Sequence, residues 1–321
     1  MYSTPERTDT KKEVIITTTR GTLGFFKNYI PTTVLLLIVI IAAIWAYSSG
    51  IPQKASMPSV SAITIILLLI IGFAAGLLGG IIGTGGCSVM LPAIHFWMGY
   101  PVPIAVGTTL FAVIFTALSG GYGHLMRRNL DVRATLYLGI SGILGVFLGS
   151  WFFTLLTSHI KFLGLIFGLT FFWPAVRMIC EGLRKGGINT QEGNAIPGPR
   201  WGWIVFGFII GVTTGILGVG GGYALVPGLI YLFGAPVYIT MGTSLATIIP
   251  LAIVGGGIKL VQGYVVLVAG LILATGTIIG AQIGAAIIKR FNPSTLKLIF
   301  GVYFFYVSIK FIFGFFGINI W

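Results

Sequence analysis

The sequence predicts an all-α polytopic membrane protein: two inverted five-element helical repeats with short, broken helices, plus one extra N-terminal transmembrane helix. Three observations predict it. First, the 321 residues are 56% hydrophobic and only 8% charged, with mean hydropathy +1.02. A water-facing domain carries about 25% charged residues. Second, apolar runs such as 31–47, 61–82 and 265–288 approach or exceed the roughly 20 residues that cross a bilayer as helix. A membrane β-barrel would alternate in segments of about ten residues, and these runs are continuous. Third, the chain repeats itself. A shift of 135 residues aligns 72–149 with 207–284 without a gap. Twelve glycines coincide, where composition alone would match about four. After a two-residue change the match resumes, Leu165-Ile166-Phe167-Gly168 against Leu298-Ile299-Phe300-Gly301.

Residues 1–30 are polar and mixed in charge, which predicts a mobile cytoplasmic tail. The run 31–49 reads as an uncleaved first helix, because a 30-residue leader with acidic residues is long for a signal peptide. The first repeat spans 61–180, with hydrophobic elements at 61–82, 87–98, 101–122, 133–155 and 160–179. A linker rich in Gly, Asn and Pro, 181–200, joins it to the second repeat, 201–316. The second set of elements is 201–217, 222–233, 236–258, 265–288 and 296–316. Gly99-Tyr100-Pro101 and Gly234-Ala235-Pro236 divide the second and third elements, since proline pushes the preceding residue out of helical geometry.

Charge placement orients the chain. With the amino terminus cytoplasmic, the inner segments 1–30, 123–133, 177–200 and 289–297 hold 15 of the 19 Lys and Arg. That is the inside bias of helical membrane proteins. It accounts for the net charge of +13 without nucleic acid as a partner. An odd number of elements separates the halves, so they insert upside down relative to each other, an architecture common in secondary transporters. The expected location is the inner (plasma) membrane, multi-pass. Membrane lipid is an expected partner, and a homodimer is one assembly this allows.

Both halves share a break. Gly83-Thr84-Gly85-Gly86-Cys87-Ser88 closes on Leu91-Pro92, and Gly218-Val219-Gly220-Gly221-Gly222-Tyr223 closes on Val226-Pro227. The helix after each break has about 12 residues, roughly 18 Å at 1.5 Å per residue, too short for a hydrocarbon core of about 30 Å. Each break therefore forms a hairpin tip inside the membrane. Non-helical backbone survives there only when buried in protein or lining a wet cavity. A tip presents the amino-terminal end of a helix, with unpaired N–H groups and the positive pole of the dipole, which together bind anions. Glycine lets backbone approach a ligand and adopt positive φ. Thr84 and Ser88 add hydroxyls and Tyr223 a phenol. The alternative is that the glycines serve only tight helix packing.

Gly107-Thr108-Thr109 matches Gly242-Thr243-Ser244. Two readings stay open for Thr108, Thr109, Thr243 and Ser244: hydroxyls facing the same cavity, or hydroxyls bonded back to their own helix carbonyls. His124 aligns with Lys259, and the pair reads either as gates on opposite faces or as snorkelling side chains. His95 reads as a packed or interfacial residue. Gln282 either lines the path or bonds a neighbouring helix. Cys87 aligns with Gly222 and reads as a small residue, the alternative being a thiol that reacts with a sulfur substrate.

No Asp or Glu lies in the predicted membrane core, whereas proton and cation pumps usually place carboxylates there. An anion is the favoured substrate. No Walker-type loop, catalytic carboxylate pair or His-Glu-x-x-His is present. The two cysteines, Cys87 and Cys180, have no paired metal-ligand spacing. Neither catalytic residues, metal nor cofactor are expected.

These residues resemble the TauE/SafE sulfite exporter family, also called the 4-toluene sulfonate uptake permeases. The pattern is G-x-G-G-G, a proline a few residues later, then G-T-S/T. Here it stands as Gly218–Gly222 with Pro227 and Gly242-Thr243-Ser244, and as Gly83–Cys87 with Pro92 and Gly107-Thr108-Thr109. The resemblance covers about 61–316, and Cys87 departs from it in place of the last glycine. It implies a permease, often outward, for sulfur-containing anions such as sulfite, sulfoacetate or other organosulfonates. The leading expectation is a secondary transporter working by alternating access. An anion channel and a non-transporting membrane scaffold are the competing ones.

Overall fold

A computed structural model describes residues 9–50, 61–183, 193, 195–288 and 293–318. The segments 1–8, 51–60, 184–192 and 289–292, residue 194 and the last three residues lie outside the described residues, and with them most of the predicted linker. The described chain is helical. α1 spans Asp9–Ser48 and α2 Ala62–Ile82. α3, Cys87–Pro92, continues as a π-helical turn over Ala93–Trp97. α4 is Val102–Met126, α5 Val132–Leu156 and α6 Ile160–Leu183. The second half repeats this order: α7 Arg200–Leu217, α8 Gly222–Phe233, α9 Val237–Val261, α10 Leu267–Ile287 and α11 Pro293–Phe315. Among the described residues, eight helices are long and apolar enough to cross a membrane.

One difference from the sequence reading is α1. Residues 9–30, expected as a mobile tail, form helix continuous with the first apolar run, through Pro31. Polarity had suggested a tail, but polarity does not oppose helix, and no proline interrupts the segment before Pro31.

The helix ends follow local chemistry. Ser61 caps α2 and Asp131 caps α5, each side chain accepting the N–H three residues on (Thr64, 3.2 Å; Ala134, 3.1 Å). α2 and α7 both stop at a left-handed glycine, Gly83 and Gly218. The short helices stop at Gly99 and Gly234, again left-handed, before Pro101 and Pro236 start α4 and α9.

Packing crosses the two halves. α2 packs on α10 and α7 on α5, while α4 pairs with α9 and α6 with α11. Exchanging the halves leaves this set of pairs unchanged. Glycines every fourth residue allow the contacts. A Cβ at Gly72, Gly76 or Gly80 would strike the α10 backbone at Leu273, Thr277 or Ala281. On α7, a Cβ at Gly207, Gly211 or Gly215 would strike the α5 backbone at Leu138, Gly142 or Val146. Small residues bring transmembrane helices this close. The outer faces carry exposed Ile63, Ile140, Leu144, Trp173 and Trp201, an apolar surface suited to lipid.

Candidate functional site

The two glycine breaks adopt the same backbone. Gly83, Gly85 and Gly86 have φ of +83°, +74° and +74°, and Gly218, Gly220 and Gly221 have +65°, +69° and +73°. Three left-handed residues within four positions turn the chain back on itself and start the short helix. Only glycine does this without strain.

The tips meet. The Cβ that Gly222 lacks would lie 2.5 Å from Thr84 Cα, and the Cys87 thiol donates to the Gly218 carbonyl at 2.9 Å. Each tip also wedges against the third helix of the other half, Gly83 on Met241 and Gly218 on Val106. Gly85 and Gly220 face one shared pair of side chains, Val113 and Ile248, which stand midway along α4 and α9. These two residues are related by the same 135-residue shift. Sequence reasoning passed over them because they are ordinary apolar residues inside apolar helices.

Equivalent residues Ser88 and Tyr223 begin the short helices. Both are buried, and among the described residues neither hydroxyl makes a hydrogen bond of good geometry. A buried hydroxyl without a partner costs free energy, so such a pair at two helix starts is suited to a polar ligand. Tyr223 also lines an apolar cavity of about 60 Å³, together with Thr84, Met178, Pro227, Tyr231 and Phe304.

The hydroxyl pairs divide between the two readings left open by sequence. Thr108 and Thr243 reach across the halves, where they accept the N–H groups of Val266 (3.0 Å) and Asp131 (2.9 Å) at the starts of α10 and α5. Thr109 bonds back to the Ala105 carbonyl of its own helix at 2.7 Å. Ser244 donates to the Gly83 carbonyl at 2.8 Å and so holds the first tip. Asp131 was missed as a functional contact. Its second carboxylate oxygen accepts the Ile196 N–H at 2.8 Å, tying the end of the linker to α5.

The other singled-out residues fall as follows. His124 is buried, with Nε2 donating to the Gly80 carbonyl (3.0 Å), an acceptor that requires the proton on that nitrogen. Lys259 is fully buried rather than snorkelling, with Nζ 3.2 Å from the centre of the Phe153 ring and no hydrogen-bond partner among the described residues. His95 Nδ1 meets the Tyr100 carbonyl at 2.7 Å, and its ring stacks on Phe311. Gln282 bonds a neighbouring helix, donating to Thr32 of α1 at 2.7 Å. Among the described residues, no three His, Cys, Asp or Glu gather as a metal site.

The profile of the sulfite exporter TauE/SafE family matches residues 67–311, which contain both tips and every helix from α3 to α10. The chain belongs to the TauE/SafE sulfite exporter family. Similar members include two probable membrane transporter proteins of Bacillus subtilis, YunE and YdhB. YunE is 26% identical over 251 residues, 73% of this chain and 92% of the relative. YdhB is 26% identical over 231 residues, 72% of this chain and 93% of the relative. A probable membrane transporter protein of Methanocaldococcus jannaschii is 29% identical over 248 residues, 72% of this chain and 89% of the relative. No solved structure matches the chain at a significant level. As a TauE/SafE member the chain is a multi-pass membrane protein of a transporter family.

Proposed function

We propose that this protein is a secondary transporter of small sulfur-containing anions, such as sulfite, sulfoacetate or other organosulfonates, in the inner membrane with its amino terminus cytoplasmic. The anion is held between the two glycine tips, at the helix starts near Gly86 and Gly221. The two halves are inverted repeats, and their relative movement exposes the tips to one face and then the other.

One observation carries the reading. Two helix starts with matching left-handed backbone meet midway along α4 and α9, each with a buried hydroxyl, Ser88 or Tyr223, that makes no hydrogen bond of good geometry among the described residues. Unpaired N–H groups and the dipole of a helix start favour an anion. The hydroxyls supply further donors, and the apolar surroundings strengthen each such interaction. The symmetric exchange of helix partners supports a mechanism in which either half plays either role.

The test is transport of sulfite, sulfoacetate and taurine by purified protein in liposomes, with calorimetric binding in detergent. Saturable binding of at least one anion, and loss of it on substitution at Gly220 or Tyr223, is expected. Absence of binding by all three sinks the anion reading, and single-channel currents exclude alternating access.

A further inference from the structure

The cavity at Tyr223 follows one face of α8. Tyr223, Val226, Pro227, Ile230 and Tyr231 line it at helical spacing, and Met178 of α6, Phe304 of α11 and Met241 of α9 complete it. Thr84, at the tip of the other half, lines it as well. The 135-residue shift matches that face of α8 with Ser88, Leu91, Pro92, His95 and Phe96, along α3 and its π-helical turn. The alignment of Leu165–Gly168 with Leu298–Gly301 matches Phe171 with Phe304 and Met178 with Phe311. The place that Met178 takes beside α8 therefore belongs to Phe311 beside α3.

Beside α3 that place is packed with rings. Phe311 is buried, whereas Met178 is partly exposed. The Phe311 ring stacks on His95 with centroids 5.7 Å apart and planes at 6°. It lies 4.8 Å from the Phe96 ring and 5.3 Å from that of Phe167. The row continues from Phe167 to Phe171 at 6.3 Å and from Phe171 to Tyr223 at 5.4 Å. The packing beside α3 is thus joined, ring by ring, to the helix start of the other half. α6 and α11 run antiparallel, since Gly168 packs at Ser308 and Ile312 while Gly182 packs at Leu298. Their matching rings, Phe171 and Phe304, meet with centroids 5.5 Å apart. Met178 and Phe311 each lie seven residues further along their helices, about 10 Å at 1.5 Å per residue. Because the helices run in opposite directions, one of the two stands on each side of the tips.

We propose that Phe311 is the plug of one access path, along α3, and that the cavity along α8 is the opposite path, left open by Met178 in this state. The proposal rests on the transport reading above. Transport exchanges the two arrangements: the Phe311 ring leaves His95 and Phe167 as the Met178 side closes on α8. The residue types suit these roles. A ring stacked between other rings sits in one defined geometry, with ring contacts that add to burial. A thioether on three rotatable bonds fills or vacates an irregular space with little strain. The unequal residues at matched positions decide which path is closed.

The test is sided transport of sulfoacetate and sulfite in liposomes where all inserted protein faces one way, with calorimetric binding alongside. Apparent affinity from a side falls with the fraction of protein open to that side, so KM should move by about threefold or more. Phe311→Met is expected to lower KM for anion supplied from the Phe311 side and to raise it from the Met178 side. Met178→Phe should act in the same sense, raising KM from the Met178 side without raising it from the other. The double exchange should give the largest difference between the sides. Both changes swap apolar side chains of similar volume, which cores tolerate, and either variant carries the test if the other does not fold. A ring that only packs would move both KM values together. Equal changes from both sides, none, or changes of the opposite sense overturn the plug while leaving the transporter reading intact. A wild-type protein that neither binds nor moves these anions overturns both.

Discussion

Alanine substitutions at the tip glycines separate backbone strain from crowding. Gly85 and Gly220 hold left-handed backbone, φ +74° and +69°, and an L-residue there costs about 1–2 kcal/mol. Space is tight but yielding. A Cβ at residue 85 would lie 3.3 Å from Val113 Cγ1, and one at residue 220 would lie 3.2 Å from Val113 Cγ1 and 3.4 Å from Ile248 Cγ2. Those methyl groups can shift. Gly86 has the same φ, +74°, but its Cβ would fall on the carbonyl oxygen of Ala75 in α2. That oxygen belongs to helix backbone, and relief requires moving the α2–α3 hairpin. Overpacking of this kind adds about 1–3 kcal/mol. The expected losses are therefore about 1–2 kcal/mol for Gly85→Ala and Gly220→Ala and about 2–5 kcal/mol for Gly86→Ala. Thermal unfolding of purified protein in detergent measures the order. The folded Gly85→Ala and Gly220→Ala proteins should also transport about tenfold more slowly or worse, since a methyl enters the space both tips face. If Gly86→Ala is as stable as Gly85→Ala, the crowding argument is wrong. Wild-type transport by both milder variants would remove the tips from the pathway.

Thr108→Val strands the buried N–H of Val266 and should cost about 1–3 kcal/mol, while Thr243→Val strands the part-buried N–H of Asp131 and should cost less. Unchanged melting temperatures would show that water replaces the hydroxyl. Cys87→Ser keeps a donor for the Gly218 carbonyl and should transport normally. Cys87→Ala should lose roughly 0.5–1.5 kcal/mol, and a dead Cys87→Ser protein would implicate thiol chemistry instead. Lys259→Met removes a buried amine that lacks a hydrogen-bond partner among the described residues and should raise the melting temperature. A fall would mean that the Phe153 ring outweighs the cost of burial.

Much of the fold was legible because its signals are local. Hydropathy runs placed α2 to α11 within a few residues. Gly83, Gly86, Gly218 and Gly221 marked the breaks, since positive φ is a property of the residue itself. Residues 9–30 went the other way: polarity suggested a tail, yet polarity alone does not prevent helix. The partners of the hydroxyls were not legible. Thr108 and Thr109 are neighbours in one motif, yet one holds the opposite half and the other its own helix. Side-chain direction on adjacent helical residues differs by a large rotation, and what lies in each direction is a matter of packing.

The sequence by itself determined a helical membrane chain with two copies of a glycine break, because composition, period and glycine conformation act within a few residues. Only the tertiary structure decided that the copies touch, Gly222 against Thr84 and Cys87 against Gly218, on a floor of Val113 and Ile248. It alone packed Phe311 on His95 and Phe96. Those contacts join elements far apart in the chain. Their geometry is set by how closely the glycine-lined helices α2, α10, α5 and α7 approach, a long-range property that no local pattern records.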